Sequence, residues 1–164
     1  MATELSDASQ AKKENEKEEV KIKRILVPID GSNCSVRAAK YAIEVATLQK
    51  AQIFCIHVIA SLPYGYGVAG CAIDEYFEDA EKQAQSWFNS IIEMAKKKNI
   101  NDVKADIFTD AKSITGAIID YASSKSIDLV IIGTKGRTGL KRLLLGSVAH
   151  GIVQHAHCPV LLVR

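Results

Sequence analysis

The chain has 164 residues, 48% of them apolar and 24% charged, with a formal net charge of +2. That length supports one domain with a real core and is short for two. The near balance of charge argues against a strong general pull toward nucleic acid, and no apolar run approaches the ~18 residues of a membrane span.

Residues 1–21 are polar and mixed in charge, too poor in large apolar side chains to offset ordering entropy. They read as a mobile tail without a signal-peptide pattern, preceding one domain over 22–164. The four cysteines, Cys34, Cys55, Cys71 and Cys158, include no C-x-x-C pair. They read as reduced thiols of a cytoplasmic protein rather than a zinc or redox motif.

Residues 24–30 form a short apolar run, expected to be a buried strand ending in the turn Asp30-Gly31-Ser32. Residues 35–46 place apolar side chains at helical spacing, and 52–59 form a second strand. A loop rich in Pro, Tyr and Gly follows over 61–70. The next helix is expected over about 73–98, with Phe77, Ala80, Ala84, Trp87, Phe88, Ile91 and Ala95 on one face. Trp87 and Phe88 in that stripe read as core. A more polar third strand is expected at 103–109 and a third helix at 111–124. Residues 128–133 are expected to be a fourth strand, continuously apolar after Asp128, as a central parallel strand is. A fourth helix over 147–155 and a fifth strand over 159–163 complete the pattern. Strict alternation of strand and helix implies a parallel sheet with helices on both faces. Flavodoxin-like and Rossmann-like strand orders both satisfy it.

In such a sheet ligands bind at the carboxyl ends of the strands, where strand order reverses. The first strand ends at Asp30. The fourth ends at Gly133, which opens the densest glycine loop of the chain, with Gly136, Gly139 and Gly146 following. Glycines there would permit positive φ and close backbone approach, and successive N–H groups could cradle phosphate oxygens. Gly146-Ser147 precedes a helix whose free N–H groups favour an anion, with Ser147 placed either to cap it or to bond phosphate. Lys135, Arg137, Lys141 and Arg142 add positive charge. No Walker A sequence occurs. Gly65-Tyr-Gly67-Val-Ala-Gly70 spells a dinucleotide-binding motif but lacks its strand-turn-helix setting. His150, His155, His157 and Cys158 match no standard ligand spacing, and no metal site or catalytic residue is assigned.

Gly133-x2-Gly136-x9-Gly146-Ser147 fits the signature G-x2-G-x9-G-[ST] without a gap. Ile25-Leu-Val-Pro-Ile-Asp30, His57-Val58 and Cys158-Pro-Val-Leu-Leu-Val163 add three further matches. Together these resemble the ATP-binding type of the universal stress protein family over about residues 22–164. The resemblance implies a Rossmann-like, adenine nucleotide alpha hydrolase-like sheet of five parallel strands in the order 3-2-1-4-5. It implies a site in which Pro28, Ile29 and Asp30 lie at the end of the first strand, Asp30 beside the adenosine or its metal. The Val58 backbone would read the adenine edge, and Gly133, Gly136, Gly146, Ser147 and Val148 would hold ribose and phosphates. The implied ligand is ATP or AMP, with any Mg2+ carried by the phosphates. The implied assembly is a homodimer through strand 159–163, with no nucleic acid or membrane partner. The expected function is a nucleotide-dependent stress-response switch. The alternatives are a nucleotide-free dimeric interaction module and a slow ATP-hydrolysing or nucleotidyl-transfer enzyme.

Overall fold

The computed structural model describes residues 21–61, 70–137 and 145–164. The expected tail over 1–20, the glycines Gly65 and Gly67, and Gly139, Lys141 and Arg142 lie outside the described residues. The elements run β1 (Arg24–Pro28), α1 (Asn33–Gln49), β2 (Gln52–Ala60), α2 (Gly70–Lys96), β3 (Val103–Ala111), α3 (Ile114–Ser124), β4 (Leu129–Gly133), α4 (Ser147–His155) and β5 (Val160–Val163). All strand pairs are parallel, in the order β3-β2-β1-β4-β5.

Local chemistry sets the boundaries. Ser32 caps α1, its Oγ accepting from Ser35 N at 3.2 Å, so the helix begins two residues before the expected start. It ends where Lys50 turns left-handed at φ 55° and bonds back to Ala46 O. The largest departure from expectation is at Ala111. It is the last residue of β3, opposite Ala60, rather than the first of a helix. Ser61 N donates to its carbonyl at 3.0 Å. Strand pairing outweighs alanine's helix preference there, and α3 waits for its cap at Ser113, which accepts from Gly116 N at 3.1 Å.

Strand alternation divides the core between the two faces of the sheet. Ile25 and Val27 of β1 and Leu129 and Ile131 of β4 face α1 and α2, meeting Ala38, Ala42, Ala84, Phe88 and Ile91. Leu26, Val130 and Ile132 face α3 and α4, meeting Ile118, Tyr121 and Ile152. The small alanines of α1 bring that helix close to β4. Cys55 is fully enclosed in the first layer, and burial pushes its thiol up to about 12. Asp128 pins the start of β1 to β4, its Oδ2 accepting from Lys23 N and Arg24 N at 2.8 Å each.

Helices α3 and α4 meet closely at Gly151, where an added Cβ would lie 2.8 Å from Thr115 Cγ2. Gly151→Ala should therefore lower the unfolding free energy by about 1–2 kcal/mol, overpacking outweighing the gain in helix preference. In a Thr115→Ser background, which lacks the colliding methyl, the same substitution should be neutral or stabilising. Urea midpoints of the four proteins read this directly, and equal effects in both backgrounds would contradict the packing account.

Candidate functional site

The pairing of β1 with β4 brings the turn after Pro28 beside the loop after Gly133. The two segments are joined by side-chain to backbone bonds. Asp30 Oδ1 accepts from Ser32 N at 3.0 Å, and Asp30 Oδ2 accepts from Arg137 N at 3.1 Å. Ser32 Oγ, while capping α1, donates to Lys135 O at 3.2 Å. Asp30 N in turn reaches Ser35 Oγ at 3.4 Å. The loop also continues the sheet for one more bond, Thr134 N donating to Val163 O at 2.7 Å, and Gly146 N closes it by donating to Thr134 O at 2.7 Å.

Of the two expected uses of the loop glycines, the geometry selects close approach over positive φ. Among the described glycines only Gly31 has positive φ, at 78°. Gly133, Gly136 and Gly146 are needed for space. A Cβ on Gly133 would lie 2.7 Å from the backbone carbon of Cys34, so this glycine lets β4 meet the start of α1. A Cβ on Gly136 would lie 2.7 Å from Asp30 Oδ2, so this one admits the carboxylate to the loop. The amides of Thr134, Arg137 and Gly146 are committed within the protein, whereas Lys135 N and Gly136 N have no partner among the described residues. One correction concerns Ser147. It is the first residue of α4 and not its cap; Gly146 holds the cap position and contributes no side-chain bond. The first-turn amides of Ser147, Val148 and Ala149 therefore have no capping side chain among the described residues, at a positive helix end.

These groups border a cavity of about 580 Å³ over the carboxyl end of the sheet. Each expected site residue lines it: Pro28, Ile29, Asp30, Val58, Gly133, Lys135, Gly136, Arg137, Gly146, Ser147 and Val148. One part of the wall is polar, from Asp30 and the 133–148 segments. The rest is apolar, with Ile56, Ile59, Ile114, Ile118 and Ile132 joined by Tyr76 and Ala80 of α2. Val58 is buried, and its backbone stands where β1 has ended. Pairing of β1 with β2 stops at Pro28 opposite Ile56, and Ile29 N makes the last bond, to Ile56 O at 2.8 Å. Alternation turns the N–H and C=O of Val58 to the same side as those of Ile56, past the last residue of β1.

Sequence reasoning treated His57 only as part of a motif and Trp87 only as core. His57 lines the cavity, and its Nδ1 lies 2.6 Å from Ile29 O. A carbonyl only accepts, so Nδ1 carries the proton and Nε2 is left as the acceptor in the neutral ring. The Trp87 ring meets the imidazole edge-on at 5.3 Å and lies 5.7 Å from the Arg137 guanidinium carbon. Trp87 still packs on the core, as expected, and touches the cavity wall only from behind, through His57 and Arg137. The i, i+3 run from Ala84 to Trp87 was the available signal, and it could not say which end of the sheet the ring would reach. No cluster of three or more metal-ligating side chains occurs among the described residues, including the His150 to Cys158 segment.

Burial, reinforced by Arg137, holds His57 below the usual imidazole range against the opposing pull of Ile29 O and Asp30. A histidine depressed in the folded state binds fewer protons folded than unfolded. Its contribution to stability is thus complete above about pH 6.5 and declines as pH falls below that value. Wild type should lose more stability between pH 7 and pH 5 than His57→Asn, whose amide can replace the Nδ1 donor without titrating. Parallel pH profiles of the two urea midpoints would contradict this.

A profile described as the universal stress protein family matches residues 21–164. A universal stress protein of Methanocaldococcus jannaschii is 33% identical over 142 residues, spanning 87% of this chain and 82% of its own length. Among solved structures, universal stress protein UspA from Lactobacillus plantarum has a TM-score of 0.81 at 23% identity, over 88% of this chain and 99% of its own. A universal stress protein family member from Arabidopsis thaliana, solved with AMP bound, has a TM-score of 0.61 at 17% identity, over 85% and 90%. One from Archaeoglobus fulgidus, solved in complex with dAMP, has a TM-score of 0.60 at 20% identity, over 88% of this chain and 99% of its own. At such identities the solved structures bear on the fold, and the profile and the archaeal relative carry the family. The chain belongs to the universal stress protein family.

Proposed function

We propose that the cavity binds an adenine nucleotide, ATP or AMP, and that the protein acts as a nucleotide-dependent regulatory switch in the stress response. The observation that carries this reading is the placement around one cavity of two kinds of backbone group that have no partner among the described residues. The Val58 N–H and C=O, beyond the end of β1, offer a donor and an acceptor to the edge of a flat base between apolar walls. The Lys135 and Gly136 amides and the uncapped end of α4 offer donors to phosphate, with Lys135 and Arg137 adding charge. In this reading Pro28, Ile29 and Asp30 flank the adenosine, and Gly133, Gly136, Gly146, Ser147 and Val148 flank ribose and phosphates. Two neighbours of the same fold were solved with AMP and dAMP.

Asp30 is the only acidic side chain on the described cavity wall, and both its oxygens already accept backbone bonds. Mg2+ would therefore be held mainly by the phosphates, with at most one protein carboxylate joining it. Any hydrolysis would be slow, since the phosphate cradle supplies stabilising amides without a built metal cluster.

At a nucleotide concentration 100 times its Kd, stabilisation of about 2.7 kcal/mol should raise Tm by roughly 5–10 °C. Gly136→Asp should abolish the shift, because its new carboxylate would collide with Asp30 and occupy the phosphate end. Absence of any shift in wild type at millimolar ATP or AMP would sink the reading.

We also propose a homodimer formed by pairing of strand 159–163 across a two-fold axis. Strand β5 is at the sheet edge, and its Leu161 and Leu162 are each 38% exposed. An apolar edge of this kind invites pairing with a second copy. Leu161→Arg should convert a dimer to a monomer in sedimentation equilibrium, and a monomeric wild type at high micromolar concentration would refute the assembly. A cytoplasmic location accords with both proposals; no helix among the described residues is long and apolar enough to cross a membrane.

A further inference from the structure

Trp87 is the only tryptophan of the chain, and three features converge on its ring. Gly31 stands at φ 78°, and a Cβ there would lie 2.3–2.9 Å from three ring atoms. The ring therefore rests directly on the backbone of the turn beside Asp30, a position that only glycine allows. The His57 imidazole, held by its bond to Ile29 O, braces the ring edge-on at 5.3 Å and 87°. The guanidinium carbon of Arg137 lies 5.7 Å from the ring centre, within the range of a cation–π contact. Arg137 lines the cavity, and its backbone N–H is fixed on Asp30 Oδ2 at 3.1 Å. Trp87 itself is not among the residues that line the cavity. An otherwise exposed arginine is thus anchored at both ends, by Asp30 at its backbone and by Trp87 at its head group.

We propose that Trp87 is a positioning residue, which holds the Arg137 guanidinium at the rim of the cavity and so raises affinity for ligands with an anionic end over neutral ones. The inference rests on the adenine-nucleotide reading for the identity of the ligand, and on the geometry above for the role of the ring. A long side chain loses rotamer freedom when it engages a phosphate. A ring that has already restrained it removes part of that loss and leaves its charge facing the ligand. A neutral nucleoside, which does not engage Arg137, gains nothing from the arrangement.

The contact is worth about two- to fivefold in affinity at a partly exposed site. Calorimetry with AMP, adenosine and inorganic tripolyphosphate should show Trp87→Leu weakening AMP and tripolyphosphate by that factor while adenosine is unchanged. Trp87→Phe, which keeps an aromatic face, should recover most of the loss. In an Arg137→Ala background Trp87→Leu should have no further effect. Without any ligand, Arg137→Ala should raise acrylamide quenching of the single tryptophan, because the ring loses its cover. Equal weakening of AMP and adenosine in Trp87→Leu, an additive double mutant, or unchanged quenching in Arg137→Ala would each overturn the assignment. A wild type that binds tripolyphosphate but neither AMP nor adenosine would overturn the adenine reading alone, and the mutant comparison on tripolyphosphate would then decide the role of Trp87. A wild type that binds none of the three overturns both.

Discussion

The site depends on one carboxylate that accepts from two chain segments. Asp30 follows β1 and bonds the amide of Arg137 beyond β4, 107 residues later. Its other oxygen shapes its own turn through Ser32 N. Hydrogen bonds to an ionised acceptor are stronger than neutral ones, so this is the most economical way to fix a glycine-rich loop that has few side chains to pack. Ser32 works in parallel, its single hydroxyl accepting at the start of α1 and donating to Lys135 O. The orientation of the cavity's polar wall follows from these few bonds.

Such a construction explains why the loop tolerates so little bulk. Gly136 has to admit the Asp30 carboxylate, and Gly133 has to let the α1 backbone approach β4. The same residues that a phosphate-binding pattern demands are thus demanded first by the protein's own packing. Spacing of glycines in a sequence reports that close approach occurs, without reporting what approaches. Of the two uses open to glycine there, positive φ and close approach, Gly133, Gly136 and Gly146 serve the second and give their space to protein atoms.

Much of the fold was legible because its signals are local or periodic. The runs at 25–29 and 129–133 are apolar on both faces, as strands covered on both sides must be, and the alternation of strand and helix follows from apolar periodicity; the caps at Ser32 and Ser113 were not read, so α1 and α3 were each started at the wrong residue. The strand order was carried by resemblance, because periodicity alone left two orders open. Ala111 was misread since its helix preference is local, whereas its pairing with Ala60 is not. The gathering of Asp30 and the 133–148 segments followed from the rule that parallel strands share one carboxyl edge, whereas Val58 was carried by the family resemblance. The roles of His57 and Trp87 did not, because which helix residue reaches that edge depends on how α2 lies across the sheet.

The bond from Thr134 N to Val163 O ties the start of the glycine loop to the last strand. A growing polypeptide could bury much of β1, β2 and β3 well before that bond exists. The loop that opens the cavity's polar wall, in contrast, is anchored only when β5 pairs with β4, which couples the shape of the site to the docking of the edge strand. Fraying of that edge would therefore loosen the polar wall while leaving the β1–β2–β3 half of the sheet in place.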